Sequence, residues 1–154
     1  MNRIHTYWLT ALLIVSLTAC QIEKIQSITP TKPTSIQVYQ KWELQRGDRI
    51  NDQTIVSGLG ELTIDLAGKP IYAPMSGEAK PDPSGCVLFA GTELPAYLFR
   101  FCGINAPKLG ALRKGQTIGR ANLLVFATFQ KQQNGTWAFV EPSKSMLEQI
   151  LKGS

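Results

Sequence analysis

His5 is the only imidazole in this sequence, and its position decides which reactions are open to the chain. It lies at the start of an uncharged run from Ile4 to Ile22, inside the N-terminal segment that is expected to be removed on export, so the mature protein would have no imidazole to bind zinc or to act as a base. Hydrolysis by a histidine-ligated zinc is therefore not expected, and a serine or cysteine nucleophile lacks its usual base. The three cysteines are Cys20, Cys86 and Cys102. Cys86 and Cys102 are expected to pair with each other, which leaves no soft ligand set for a metal. No cofactor is expected. What remains is binding. No Asp or Glu occurs between Glu93 and Glu141, whereas Arg100, Lys108, Arg113, Lys114, Arg120 and Lys131 do. With a net charge of +5, this basic half is either an ordinary solvated face or a surface for anionic headgroups, an acidic glycan or an acidic protein partner. The basic residues are spread through turns without a recognition-helix pattern, so nucleic acid is not expected as a partner.

The elements that must position these residues begin after the N-terminal run. Arg3 supplies a positive end, the uncharged run follows, and Leu17-Thr18-Ala19-Cys20 closes it, the arrangement of a secretory signal. The tetrapeptide resembles the lipobox of bacterial lipoproteins, which implies that residues 1–20 are a signal peptide ending at an acylated Cys20. A plain signal peptide with an incidental cysteine and an uncleaved membrane helix are the competing readings, since the run approaches the roughly 20 residues that span a bilayer. Several acyl chains, each worth about 0.8 kcal/mol per buried methylene, would hold the protein on its membrane. Residues 21–35, rich in Gln, Ser, Thr and Pro, read as a flexible tether reaching up to roughly 50 Å.

Residues 36–154 then read as a single β domain, because 154 residues at 44% hydrophobic content fit one compact core. Strand-like runs cover 36–44, 55–66, 86–91, 96–104, 116–129 and 137–143, with Gly47–Asp52 as a turn and Gly and Pro at short intervals. This spacing predicts an all-β barrel or sandwich with one short C-terminal helix over 143–152. Ser145 and Glu148 have capping-box spacing, and Met146, Leu147, Ile150 and Leu151 form one apolar stripe, suited to packing over an open barrel end or to binding a partner. A hairpin centred on Leu94 makes opposite positions sum to 188. It sets Cys86 across from Cys102 for a disulfide, and places Phe89 opposite Phe99 and Val87 opposite Phe101 on a core face. Arg100 then shares the other face with Leu98 and Cys102, opposite Leu88. Arg46-Gly47-Asp48 and Asn134-Gly135-Thr136 are read as turns rather than as adhesion or glycosylation signals. Trp42 and Trp137 are read as core or rim packing.

Ala73-Pro74-Met75-Ser76-Gly77 resembles the entry motif of biotinyl domains, but no Met-Lys dipeptide follows to carry the prosthetic group. Together with Gly115-Gln116-Thr117-Ile118-Gly119, it resembles the LytM-type (M23) peptidase domain over about residues 58–151. The resemblance implies a barrel-sandwich hybrid with an M23-like β-sheet core. In that family a His and an Asp four apart, and a His-x-His strand, hold and serve a zinc. Here Glu61 and Asp65 have the first spacing, Leu123 and Val125 stand at the histidines, and Arg100 occupies the place of a further catalytic histidine. The resemblance therefore implies a degenerate, non-catalytic member without metal. Arg100 is expected either to pair structurally with Glu61 or Asp65 or to be an anion-binding remnant of the cleft, with Arg113, Lys114 and Arg120 as further binding candidates. The expectation is a lipid-anchored, extracytoplasmic binding or assembly factor of a bacterial envelope, its partner a protein or cell-wall glycan. Catalytically dead members of the family can activate cell-wall amidases, so regulation of a peptidoglycan hydrolase is its specific version. The alternatives are an accessory subunit of a membrane complex, and a peptidase or carbohydrate-active enzyme of altered mechanism.

Overall fold

The structure, a computed structural model, describes residues 42–153. The signal at 1–20, the tether at 21–35 and the start of the domain at residue 36 lie outside the described residues. Within them the chain forms β1 (Arg49–Ile50), β2 (Gln53–Gly58), β3 (Leu62–Asp65), β4 (Pro70–Tyr72), β5 (Gly77–Pro81) and β6 (Val87–Gly91). There follow β7 (Tyr97–Cys102), β8 (Gly110–Leu112), β9 (Thr117–Arg120), β10 (Leu123–Lys131), β11 (Trp137–Val140) and α1 (Lys144–Lys152). The described residues are all-β with one short C-terminal helix, as the turn spacing predicts.

Strands β1-β2-β3-β10-β7-β6-β5-β8 make one antiparallel sheet in that order, with β11 also on β10, while β4 and β9 pair separately. Strand β10 organises the sheet. Its first half pairs with β3, its second half with β11, and its opposite edge with β7. The β6–β7 register is the one that the sequence arithmetic gives: Val87 faces Phe101, Leu88 faces Arg100 and Phe89 faces Phe99. Alternation along β6, β7 and β10 turns Phe89, Phe99, Phe101 and Phe126 inward, each at most 1% exposed. Their rings form one aromatic chain, with centroids 6.4 Å apart for Phe89–Phe99, 6.2 Å for Phe99–Phe126 and 5.1 Å for Phe101–Phe126. Ile55, Leu62, Ile64, Ile71, Ile118 and Leu124 complete the interior without exposure.

The glycines of the motif at 73–77 have a packing reason. Gly77 of β5 lies directly opposite Gly91 of β6. A Cβ on Gly77 would collide with the Ala90 carbonyl and the Phe89 ring, and one on Gly91 with the thioether of Met75. The absent side chains let Met75 lie under the strand pair, only 3% exposed. The same motif is latched to the later Gly-Gln turn, since Ala73 N donates to Gln116 O at 2.8 Å and Gly115 N to Ala73 O at 2.8 Å.

Several boundaries differ from those expected. The run at 55–66 is a hairpin rather than one strand: Gly60 at φ +78° turns the chain and puts Leu59 at the tip, 96% exposed. The run at 116–129 breaks at Ala121–Asn122 between β9 and β10, whose carbonyls accept from Leu66, Ala67 and Gly68 and so fold the short connection after β3. Arg49 and Ile50, expected within a turn, are a short strand, because Ile50 at 1% exposure belongs to the core. Trp42–Leu44, the described end of the first expected strand, is irregular. The helix is capped by Ser143, not Ser145: Ser143 Oγ accepts from Met146 N at 3.2 Å. A cap at Ser145 would forfeit the helix's first turn. Leu147 and Ile150 are buried, and α1 packs on β4 and β1.

Candidate functional site

Two of the site residues suggested by the sequence, Glu61 and Arg100, meet on the outer face of β3, β10 and β7. Registers explain why. Leu62 faces Phe126 across β3–β10, so Glu61, the last residue of the turn before β3, stands level with Ala127, and Arg100 faces Ala127 from the β7 side. Glu61 and Arg100 therefore flank one alanine, which is 2% exposed, and their side chains form an ion pair across it. Asp65 faces Leu123, four residues further along β10 and about 13 Å away at 3.3 Å per residue. Of the two partners expected for Arg100, the structure selects Glu61. Asp65 is exposed and folds its own turn, its Oδ1 accepting from Ala67 N at 3.1 Å.

Around the ion pair the face is apolar. The guanidinium carbon of Arg100 sits 5.5 Å from the centroid of Phe129, close enough for a cation–π contact, and Phe129 packs on Phe139 with centroids 4.5 Å apart. Val125 lies between Thr63 and Cys102, and Leu123 at the end of β10 is 52% exposed. Beside Arg100 the disulfide of Cys86 and Cys102 ties β6 to β7, with Cα atoms 4.3 Å apart. Arg100 and Glu61 side chains are 27% and 32% exposed, so the pair is reachable from solvent yet partly screened from it.

The other basic candidates are elsewhere. Arg113 and Lys114 occupy the exposed turn between β8 and β9, where backbone N–H groups donate to Gln116 Oε1 and Ser76 Oγ. Arg120 ends β9 and donates to the Gly68 carbonyl at 3.3 Å. None of them joins the Arg100–Glu61 pair. Among the described residues no three metal-capable side chains gather, and no helix is long and apolar enough to cross a membrane.

Phe129, Phe139 and Trp137, the last 45% exposed, belong to this face and were not among the sequence candidates. The Asn134-Gly135 turn would have placed them: a hairpin whose opposite positions sum to 268 pairs Phe129 with Phe139 and Lys131 with Trp137, as observed. Chemically the face offers one guanidinium, already paired, within aromatic and aliphatic side chains.

Arg100→Ala is expected to cost about 1–3 kcal/mol, above an exposed pair and below a fully buried one, because it leaves Glu61 unpaired on a partly covered face. Urea denaturation checks this, and Glu61→Gln combined with Arg100→Met should recover most of the loss. An Arg100→Ala protein as stable as the wild type would remove the structural role of the pair.

Comparison with protein-family models finds no match to this chain, and comparison with curated protein sequences finds none either. The fold and the site define an all-β domain with a disulfide-tied sheet and one outward-facing, aromatic-bordered ion pair.

Proposed function

We propose that this protein is a non-catalytic, lipid-anchored extracytoplasmic binding or assembly factor built on a degenerate M23 peptidase-like fold of the barrel-sandwich hybrid type. The observation that carries the reading is the arrangement of β3, β10 and β7. Glu61, Asp65, Leu123, Val125 and Arg100, the positions matched to the family's zinc-site and catalytic residues, fall on one face of three adjacent strands. Ion-pair and aliphatic side chains stand there in place of imidazoles. The hydrogen-bonded latch between Ala73 and Gly115–Gln116 also supports the resemblance, since it joins the two Gly-rich motifs that suggested it.

On this reading the altered cleft is a contact surface, and its partner is an envelope protein, with a peptidoglycan hydrolase as the specific case. Cys20 holds the domain to the membrane, and the tether lets the face reach the wall.

Two measurements test the proposal. Cys20→Ser is expected to move the protein from the membrane fraction to a soluble exported one; retention in salt-washed membranes would defeat the lipid anchor. Incubated with peptidoglycan, the purified protein is expected to release no muropeptides with or without zinc, and metal-dependent release would establish an enzyme instead. Capture from detergent-solubilised membranes then separates a hydrolase partner from a multi-subunit membrane complex.

A further inference from the structure

Asn134 is the only asparagine in the sequence that is followed by glycine, and the β10–β11 hairpin turns on these two residues. Gln132 N donates to Thr136 O at 2.7 Å and Gly135 N to Gln132 O at 2.9 Å, which closes the loop with Gly135 at φ +84°. Asn134 is exposed, yet its amide folds back over the loop: Oδ1 accepts from Thr136 N at 3.0 Å and from Thr136 Oγ1 at 2.7 Å. A ring closed from Oδ1 to the amide two residues on also contains the Gly135 nitrogen, so Cγ and that nitrogen belong to one small turn. Glycine leaves the nitrogen unshielded, and the space beside it is open, since even a Cβ at Gly135 would meet nothing within 4 Å. The two donors on Oδ1 stand where negative charge would develop if Cγ were attacked, as the donors of an oxyanion hole do.

We infer that Asn134 is a site of spontaneous deamidation, promoted by its own turn, and that its conversion loosens the β10–β11 hairpin. Once the bond from Gly135 N to Gln132 O opens, the nitrogen gives its proton to hydroxide and attacks Cγ, and the charge that moves onto Oδ1 is held by Thr136. The new N–Cγ bond closes a succinimide, and Asn134 Nδ2 leaves as ammonia with a proton from water. Water then opens the ring at one carbonyl or the other, leaving aspartate or isoaspartate at this position. The hydrogen bonds to Oδ1 strengthen as it becomes anionic, so they favour the attack over the resting amide. Asn51, Asn105 and Asn122 precede Asp52, Ala106 and Leu123, whose side chains crowd the nitrogen that would attack. Isoaspartate lengthens the main chain at the tip of the hairpin that pairs Phe129 with Phe139 and Lys131 with Trp137, so the aromatic border of the outer face loses its register. The inference does not rest on the envelope role proposed above.

The test incubates the full-length protein at mildly alkaline pH, follows each asparagine by peptide mass mapping, and counts isoaspartate by enzymatic methylation. Asn134 is expected to convert before Asn51, Asn105 or Asn122. Thr136→Val removes one donor from Oδ1, keeps the branched shape on an exposed turn, and should slow conversion about fivefold, the worth of one hydrogen bond. Thr136→Ser keeps the hydroxyl and should restore the rate. In the converted protein the Gln132 amide, bonded to Thr136 O in the intact turn, should exchange faster with solvent. Conversion of Asn134 no faster than that of the other asparagines would deny the site. A Thr136→Val protein that converts as fast as the wild type, or faster, would show that the turn restrains the amide instead of activating it. Unchanged exchange at Gln132 after conversion would separate the modification from the hairpin; each of these overturns the inference.

Discussion

Phe126→Ala is expected to remove about 3–5 kcal/mol of stability, a large share of the roughly 5–15 kcal/mol that holds a domain together. Phe126 has no exposed surface and takes part in two of the three inner aromatic contacts, with Phe99 and with Phe101. It also lies on the central strand, between Leu62 of β3 and Phe101 of β7, so neither neighbour can close the space without breaking its ladder. Urea denaturation followed by circular dichroism measures the loss. Phe139→Ala supplies the control: its ring is 47% exposed on the outer face, and its removal should cost about 1 kcal/mol or less. Equal losses at the two positions would mean that the outer aromatics are core and that the assignment of faces is wrong.

Replacing Cys86 and Cys102 together by alanine is expected to cost about 3 kcal/mol, because the bond closes a loop with a sequence separation of 16 and restricts the unfolded chain. The reasoning predicts where the effect appears. A reductant should lower the denaturation midpoint of the wild type to that of the double variant and leave the variant unchanged. The Arg100–Glu61 pair does not involve either sulfur, so Arg100→Ala should cost a similar amount in both backgrounds. A wild-type midpoint insensitive to complete reduction would show that the strand pairing alone restrains the hairpin.

The β6–β7 hairpin was legible because a period of two fixes everything once its centre is known: one sum places Cys86, Leu88 and Phe89 against Cys102, Arg100 and Phe99. The same reasoning would have found Phe129 opposite Phe139 had it been applied to the Asn134-Gly135 turn. The break at Leu59–Glu61 was hidden for a different reason. Leu59 is as apolar as Leu62, and only the positive φ of Gly60, a backbone property, separates a hairpin tip from a continuing strand. That turn is also what brings Glu61 rather than Asp65 to Arg100, so the choice between two carboxylates rested on an element boundary. The helix start was ambiguous because Ser143 and Ser145 both have the chemistry of a cap. Their side chains lie 3.1 Å apart, and the one that permits the longer helix serves.

The docking of α1 has a consequence for the order in which the protein can come into being. Leu147 and Ile150, near the end of the chain, are fully buried, and their helix packs on β1 and β4, near the beginning of the described domain. A nascent chain therefore cannot finish this interior until Ile150 has been made. Every shorter intermediate presents an uncovered apolar surface around Ile50 and Ile71. A chain that stops before Ser143 should for that reason behave like a core mutant, and proteases should still cut it.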